Sequence, residues 1–203
     1  MSQIELLFPT PVLTGQLGRA INQSELDFIQ SNLIDTITRG ATGQYSRNDH
    51  VLDSPELSEL KKLVLSQVQS YVDTVHKPKY PLETYITQSW ILRSDQTDVH
   101  QPHIHPNSFL SGVVYVSTNA DDSITFFSDS PRLLAIETDV YDRFNSSQWW
   151  LPVQENGILV FPSQLMHAVN PVTGTKPRIS IPFNTFVRGQ LGGNGKYTEL
   201  ILQ

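Results

Sequence analysis

Residues 100–116 read HQPHIHPNSFLSGVVYV, and three of the chain's six histidines fall in that stretch, at His100, His103 and His105. Neutral imidazole is a common metal ligand. His103 and His105 stand two apart, and on a strand residues i and i+2 point to the same face, so both rings can converge on one point. His100 stands three before His103 and would face away on a continuous strand, although Pro102 interrupts the region. Two imidazoles hold a metal poorly, so a third ligand has to come from elsewhere. The segment VFPSQLMHAVNPVTG offers His167, just after the strand-like GILVFP. A lone histidine is more often a satisfied polar side chain than a ligand; the set of three carries the metal reading. His50 and His76 lie in a loop and at a helix end, with no partners nearby, and His76 has a plain reading as a complement to the helix dipole.

Eleven residues after His167, PRISIPFN opens a strand with Arg178, and Ser180 shares its face. An inward arginine at the mouth of a β-sandwich wants an anion, because its planar fork pairs carboxylates through two hydrogen bonds. The structural alternative is a salt bridge, but RISIPFN itself contains no acidic partner. Asp98 and Asp129 are alternative carboxylate ligands, ranked below His105 because neither has its i, i+2 register with His103. On SFLSGVVYVS, Ser111, Val113 and Tyr115 share a face. Trp90, in TQSWILR, is either core or pocket lining.

The elements that must carry these residues are mostly strands. Residues 4–17 read as extended, their prolines suiting an edge. NQSELDFIQSNLIDTITRG has a helical pattern, capped by Asn22 or Ser24, with Leu26, Ile29, Leu33 and Ile37 as its stripe and Gly40 as its stop. DSPELSELKKLVLSQVQSYVDTVHKP predicts a second helix, capped by Asp53 or Ser54, with Pro55 in its first turn. Leu57, Leu60, Val64, Val68 and Val72 make its apolar stripe, and Pro78 and Pro81 end it. After residue 82 come short runs rich in β-branched and aromatic residues: ETYITQSWILR, SFLSGVVYVS, DSITFFS, RLLAIET, GILVFP and RISIPFNTFVR. No helical pattern interleaves them, which predicts an antiparallel sandwich or barrel. RGQLGGNGK lacks the Gly-Lys-Ser/Thr of a phosphate loop and reads as a turn before a last strand, YTELILQ. The expected organisation is one domain over 1–203, with a helical support at about 20–78 and a β core at about 82–203.

Composition narrows the function. The 203 residues carry a formal charge of −6, with no basic run, which argues against a nucleic-acid surface. There is no cysteine, so thiolate metal sites, iron–sulfur clusters and cysteine nucleophiles are excluded. The N-terminus lacks a basic region and is broken by Pro9 and Pro11, unlike a signal peptide. No apolar run approaches the ~20 residues of a membrane span. These features predict a cytoplasmic protein with no membrane or nucleic-acid partner. The substrate, a small molecule or a protein, is not indicated, and a homodimer is compatible with the sequence.

Taken together, H-x-H, a histidine some sixty positions on and an R-x-S beyond it resemble the iron(II)/2-oxoglutarate-dependent oxygenases. FPTPV, HIHPNSFLSGVVYV and FPSQLMHAVNPVTGTKPRISIPFN are similar, more narrowly, to an uncharacterised branch of short chains found in bacteria and phages. The resemblance implies a double-stranded β-helix, or jelly roll, with Fe(II) in its mouth. It implies metal ligation by His103 and His167, with His105 where the family usually has a carboxylate. It implies that Arg178 grips the far carboxylate of the cosubstrate 2-oxoglutarate, assisted by Ser180, with Tyr115 as a further hydrogen-bond donor and Trp90 and Ser111 near the pocket. The implied reaction is hydroxylation coupled to decarboxylation of 2-oxoglutarate to succinate and carbon dioxide, with no protein general base. His105 is a departure: three neutral imidazoles leave the metal its full +2 charge, and imidazole also suits zinc, copper and nickel. It also argues against a halogenase, which needs a small residue there. A cupin-like three-histidine metalloenzyme is the alternative, but the cupin glutamate is missing, since Phe109 and Leu110 occupy its positions. A non-catalytic jelly-roll binding or structural module is the other alternative.

Overall fold

The structure is a computed structural model that describes residues 2–129, 134, 136–193 and 195–203. Its first strand, β1 (Leu13–Gln16), lies at a sheet edge, as the prolines before it suggest. Helix α1 covers Gln23–Ser31. Asn22 caps it through a reciprocal box: Glu25 N–H donates to Asn22 Oδ1 at 3.0 Å and Asn22 N–H to Glu25 Oε2 at 2.9 Å. The helix stops well short of Gly40. Asn32 closes it by donating its side-chain N–H to the Phe28 carbonyl. The β-branched run after it, with Ile37 inside, forms β2 (Thr36–Thr38), paired with β3 (Gln44–Ser46). Local β propensity wins there over the helical spacing of Ile37.

The second helix starts later than its sequence pattern implies. Two 3₁₀ turns, Val51–Asp53 and Pro55–Leu57, precede α2 (Ser58–Tyr71), and neither Asp53 nor Ser54 caps it. Asp53 instead accepts from Lys61 at 2.7 Å. The stripe is as expected: Leu57, Leu60, Val64, Val68 and Val72 are fully buried. A π-turn, Val72–His76, ends at Lys77 in the left-handed region, before Pro78. His76 is not isolated there, since its ring lies 5.2 Å from that of Phe109.

The remaining strands are β4 (Leu82–Ser89), β5 (Leu92–Ser94), β6 (His100–His103), β7 (Leu110–Ser117), β8 (Ser123–Phe127), β9 (Gln148–Pro152), β10 (Gly157–Pro162), β11 (His167–Val169), β12 (Arg178–Leu191) and β13 (Leu200–Leu202). Strand β9 went unread in the sequence. Of the strand expected over RLLAIET, Arg132, Leu133 and Ala135 lie outside the described residues, and Ile136–Thr138 form no strand. The larger sheet runs β1-β10-β7-β12-β5-β3-β2, with β4 and β13 also on β12; the smaller runs β6-β11-β8-β9. Every strand pair is antiparallel, and from β6 onward the chain passes back and forth between two facing sheets, as in a jelly roll. Three strands of the N-terminal segment, β1 to β3, belong to the larger sheet rather than to a purely helical support.

The larger sheet is covered on both faces. On one face Val114, Ile158, Val160, Ile181 and Phe183 join the α2 stripe in one core. On the other, Tyr115, Leu159 and Phe161 pack with Ile124, Phe126 and Leu165 between the sheets. Strand β12 alternates accordingly: Ile181 and Phe183 face the helices, while Arg178, Ser180 and Pro182 line the interior between the sheets.

Candidate metal centre

His103 and His167 meet because β6 and β11 pair with these two residues directly opposite each other. His105 arrives differently from the sequence expectation. It lies beyond the end of β6, so strand parity does not place it. A backbone bond does, its N–H donating to the Ser163 carbonyl at 2.9 Å in the turn before β11. The result is one cluster whose candidate ligand atoms all lie within 4.8 Å of one another. The Nε2 atoms of His105 and His167 stand 3.2 Å apart, and these two rings are stacked within 6° of parallel.

The protonation of the rings suits a metal. His103 Nδ1 lies 2.7 Å from the Gln101 carbonyl, and His167 Nδ1 2.9 Å from the Leu165 carbonyl. A carbonyl only accepts, so each Nδ1 carries a proton, which leaves Nε2 as the nitrogen to offer a metal. Burial, helped by its neighbours' charge, pushes His167 down to about 3 and His105 to about 4, so both are neutral at pH 7. Three imidazoles converging on one point, two with their second nitrogen fixed, fit a divalent first-row metal.

A cavity of about 100 Å³ opens beside the triad, lined among others by Trp90, His100, Tyr115, Arg178 and Ser180. Tyr115 and Ser180 are register partners on β7 and β12, and Arg178 follows on the same face of β12. Burial pushes the Tyr115 hydroxyl well above its ordinary range, so it is a donor at neutral pH, while nearby Arg178 pulls the other way. Arg178 is itself buried and not free of partners. Its Nη1 donates to Asp122 Oδ1 at 3.2 Å, and its Nη2 to the Asn170 carbonyl at 3.1 Å. Asp122, fully buried, is the acidic partner that RISIPFN lacks. It sits in the turn before β8, far away in sequence, and no pattern marked it.

Two expectations change. Ser111 does not line the cavity; it sits behind it, donating to Asn184 Oδ1 at 2.8 Å. His100 does not face away. It lines the cavity with its ring 6.4 Å from that of His103, and burial pushes it down to about 4. Its Nε2 and the Trp90 indole nitrogen are buried without a partner among the described residues, as polar atoms awaiting a ligand would be. Asp98 accepts from the Asp95 backbone, Asp129 is exposed, and neither joins the cluster.

A family model described as "Putative 2OG-Fe(II) oxygenase" matches residues 88–184, a span that holds the three histidines and Arg178. No curated protein matches the chain in sequence. Solved structures do match it in fold. The α-ketoglutarate-dependent epimerase SnoN of nogalamycin biosynthesis is 13% identical, with a TM-score of 0.62, over 87% of this chain and 78% of that one. HygX from Streptomyces hygroscopicus, solved with nickel, 2-oxoglutarate and hygromycin B bound, is 15% identical with a TM-score of 0.55, over 87% and 82%. An oxidoreductase of the 2OG-Fe(II) oxygenase family from Burkholderia pseudomallei is 12% identical with a TM-score of 0.55, over 86% and 83%.

Proposed function

We propose that this chain is an Fe(II)- and 2-oxoglutarate-dependent oxygenase that hydroxylates its substrate, a reading supported by the match of residues 88–184 to the family described as "Putative 2OG-Fe(II) oxygenase". The observation that carries the reading is the joining, in one cavity, of a three-histidine cluster and a buried arginine. Bound Fe(II) and 2-oxoglutarate supply the oxidising chemistry: dioxygen and 2-oxoglutarate give succinate, carbon dioxide and one oxygen atom for a substrate C–H bond. The chain's own residues bind and orient. His103, His105 and His167 would hold the metal, beside the cavity that Arg178 lines. Arg178 pairs with the far carboxylate of 2-oxoglutarate, and the Tyr115 and Ser180 hydroxyls donate to it. Asp122 and the Asn170 carbonyl hold the guanidinium so that its remaining N–H groups face the cavity, which sets the cosubstrate's orientation before any chemistry. No side chain has to move a proton. Solved structures that share the fold include an epimerase and a carbocyclase, so the fold alone does not fix the reaction.

One observation favours a second reading. Asp122 already neutralises Arg178, as it would if the arginine were structural and the site a three-histidine metalloenzyme without 2-oxoglutarate. An anaerobic titration of the Fe(II)-loaded protein with 2-oxoglutarate separates the two. A visible charge-transfer band that saturates, and that needs far more 2-oxoglutarate in Arg178→Ala, is the expected result. Stoichiometric iron with no band at any 2-oxoglutarate concentration would overturn the cosubstrate assignment and leave the second reading.

A further inference from the structure

Arg19 and Arg178 each meet a buried carboxylate, and they do so differently. Arg19 uses both arms of its fork, Nη1 and Nη2 donating to the two oxygens of Glu25 at 2.7 and 2.6 Å. Arg178 gives Asp122 a single N–H, from Nη1 to Oδ1 at 3.2 Å, which is longer than the about 2.7–2.9 Å usual for such a charged pair. Its Nη2 donates to the Asn170 carbonyl at 3.1 Å instead. Asp122 is not free to swing into the fork. Its Oδ2 accepts from the Asn119 backbone N–H at 2.9 Å, its own N–H donates to the Asn119 carbonyl at 3.2 Å, and its carbonyl accepts from Val153 at 3.0 Å. The turn before β8 therefore fixes this carboxylate, and it reaches the arginine with its charge but along one edge only.

The two residues also stand differently toward the cavity. Arg178 lines it and Asp122 does not, although both side chains are buried. Among the described residues, no other arginine, no lysine, no aspartate and no glutamate lines it. The charges then sum simply. A metal-bound imidazole is neutral, so a divalent metal at the triad keeps both its positive charges. Arg178 adds one more, and Asp122 cancels it. Resting on the metal and cosubstrate reading above, we infer that Asp122 is the residue that sets the charge class of the cosubstrate pocket. It cancels Arg178 from outside the cavity, so the site is complementary to a 2-oxo acid with two negative charges in all. The far carboxylate is then held by the hydrogen-bond geometry of the guanidinium rather than by net attraction. The same cancellation keeps Arg178 from standing as a lone buried charge when the pocket is empty. Asp122 acts through Arg178 and touches no ligand, so it determines specificity without being catalytic.

The test compares two ligands that differ by one charge, read by binding without turnover. 2-Oxopentanoate carries a methyl group where 2-oxoglutarate has its far carboxylate. Each is titrated anaerobically into the Fe(II)-loaded wild type, Asp122→Asn, Asp122→Glu and Arg178→Ala, and the visible charge-transfer band gives the dissociation constants. Thermal unfolding of each metal-free protein reports the fold. The wild type should prefer 2-oxoglutarate, and Arg178→Ala should lose that preference. Asp122→Asn removes the charge and keeps an amide oxygen for Arg178. It should raise the preference by about tenfold or more, the order that one buried charge exerts over several ångströms inside a protein, and leave 2-oxopentanoate binding nearly unchanged. An unchanged or smaller preference in folded Asp122→Asn overturns the inference, because Asp122 then only orients the arginine. If Asp122→Asn does not fold, Asp122→Glu decides: a preference as large as that of the wild type supports the inference, and one that vanishes overturns it. An iron-loaded wild type with no band at any 2-oxoglutarate concentration would instead sink the cosubstrate reading itself, and so tells the two failures apart.

Discussion

His100, His105 and His167 share one cause for their low basicity. Each is buried beside other imidazoles, and burial penalises the charged form first. The stability consequence has a definite sign. Above the unfolded value of about 6.5, neither the folded nor the unfolded chain protonates these rings, and they add no pH dependence. As pH falls below it, the unfolded chain takes up protons that the folded chain refuses until about 4 for His100 and His105 and about 3 for His167. The urea midpoint of the metal-free protein should therefore fall as pH drops from about 6.5 to about 4, and fall less steeply in His100→Gln. A midpoint that stays level through that window would show that the rings are not buried as described. At this scale the sequence was legible where chemistry is type-specific, as at His103, His167 and Arg178. It was silent on Asp122 and misleading on His100, because both depend on which strand lies opposite.

Strands β7 and β12 do the positioning at the scale of elements. They bring Tyr115, Ser180 and Arg178 to one face, and Ser111 opposite Asn184, to which it donates at 2.8 Å. Their close approach depends on Gly112. A Cβ there would stand 2.3 Å from Phe183 Cζ and 2.5 Å from the Leu159 carbonyl, and the second contact is backbone that cannot swing away. Gly112→Ala should cost about 2–3 kcal/mol in chemical denaturation, as overpacking does, and should lower metal affinity by shifting Ser111 of β7 against Ser163, whose carbonyl holds the His105 backbone. Unchanged stability would mean that the sheets give way easily there. Element types were read well wherever burial and pattern agreed, as in the α2 stripe and in β7, β10 and β12. They were misread at Ile37, where a helical spacing continued into a β-branched run that pairs with β3.

For the whole molecule, a metal at the triad joins residues 103 and 105 to residue 167, and so ties β6 to β11 and to the turn before it. A ligand that binds only the folded state stabilises it by mass action, about 2.7 kcal/mol at a hundredfold excess over Kd. Saturating Co(II) or anaerobic Fe(II) should raise the unfolding temperature of the wild type and leave that of His167→Ala nearly unmoved. An equal rise in both would place the metal elsewhere. Among the described residues, no helix is long and apolar enough to cross a membrane.

The sequence by itself determined the kinds of group available and the class of fold. Six histidines, no cysteine and an H-x-H before an apolar run limit the metal chemistry, and the short β-branched and aromatic runs after residue 82, with no helical pattern between them, point to antiparallel sheets. Those features are local, and local patterns survive in one dimension. The tertiary structure alone decided that His100 turns toward the cavity and that Arg178 meets Asp122. Each depends on strand pairing, register or a bulge between segments far apart in the chain. Such pairings follow from the packing of the whole core, and no spacing within one segment encodes them.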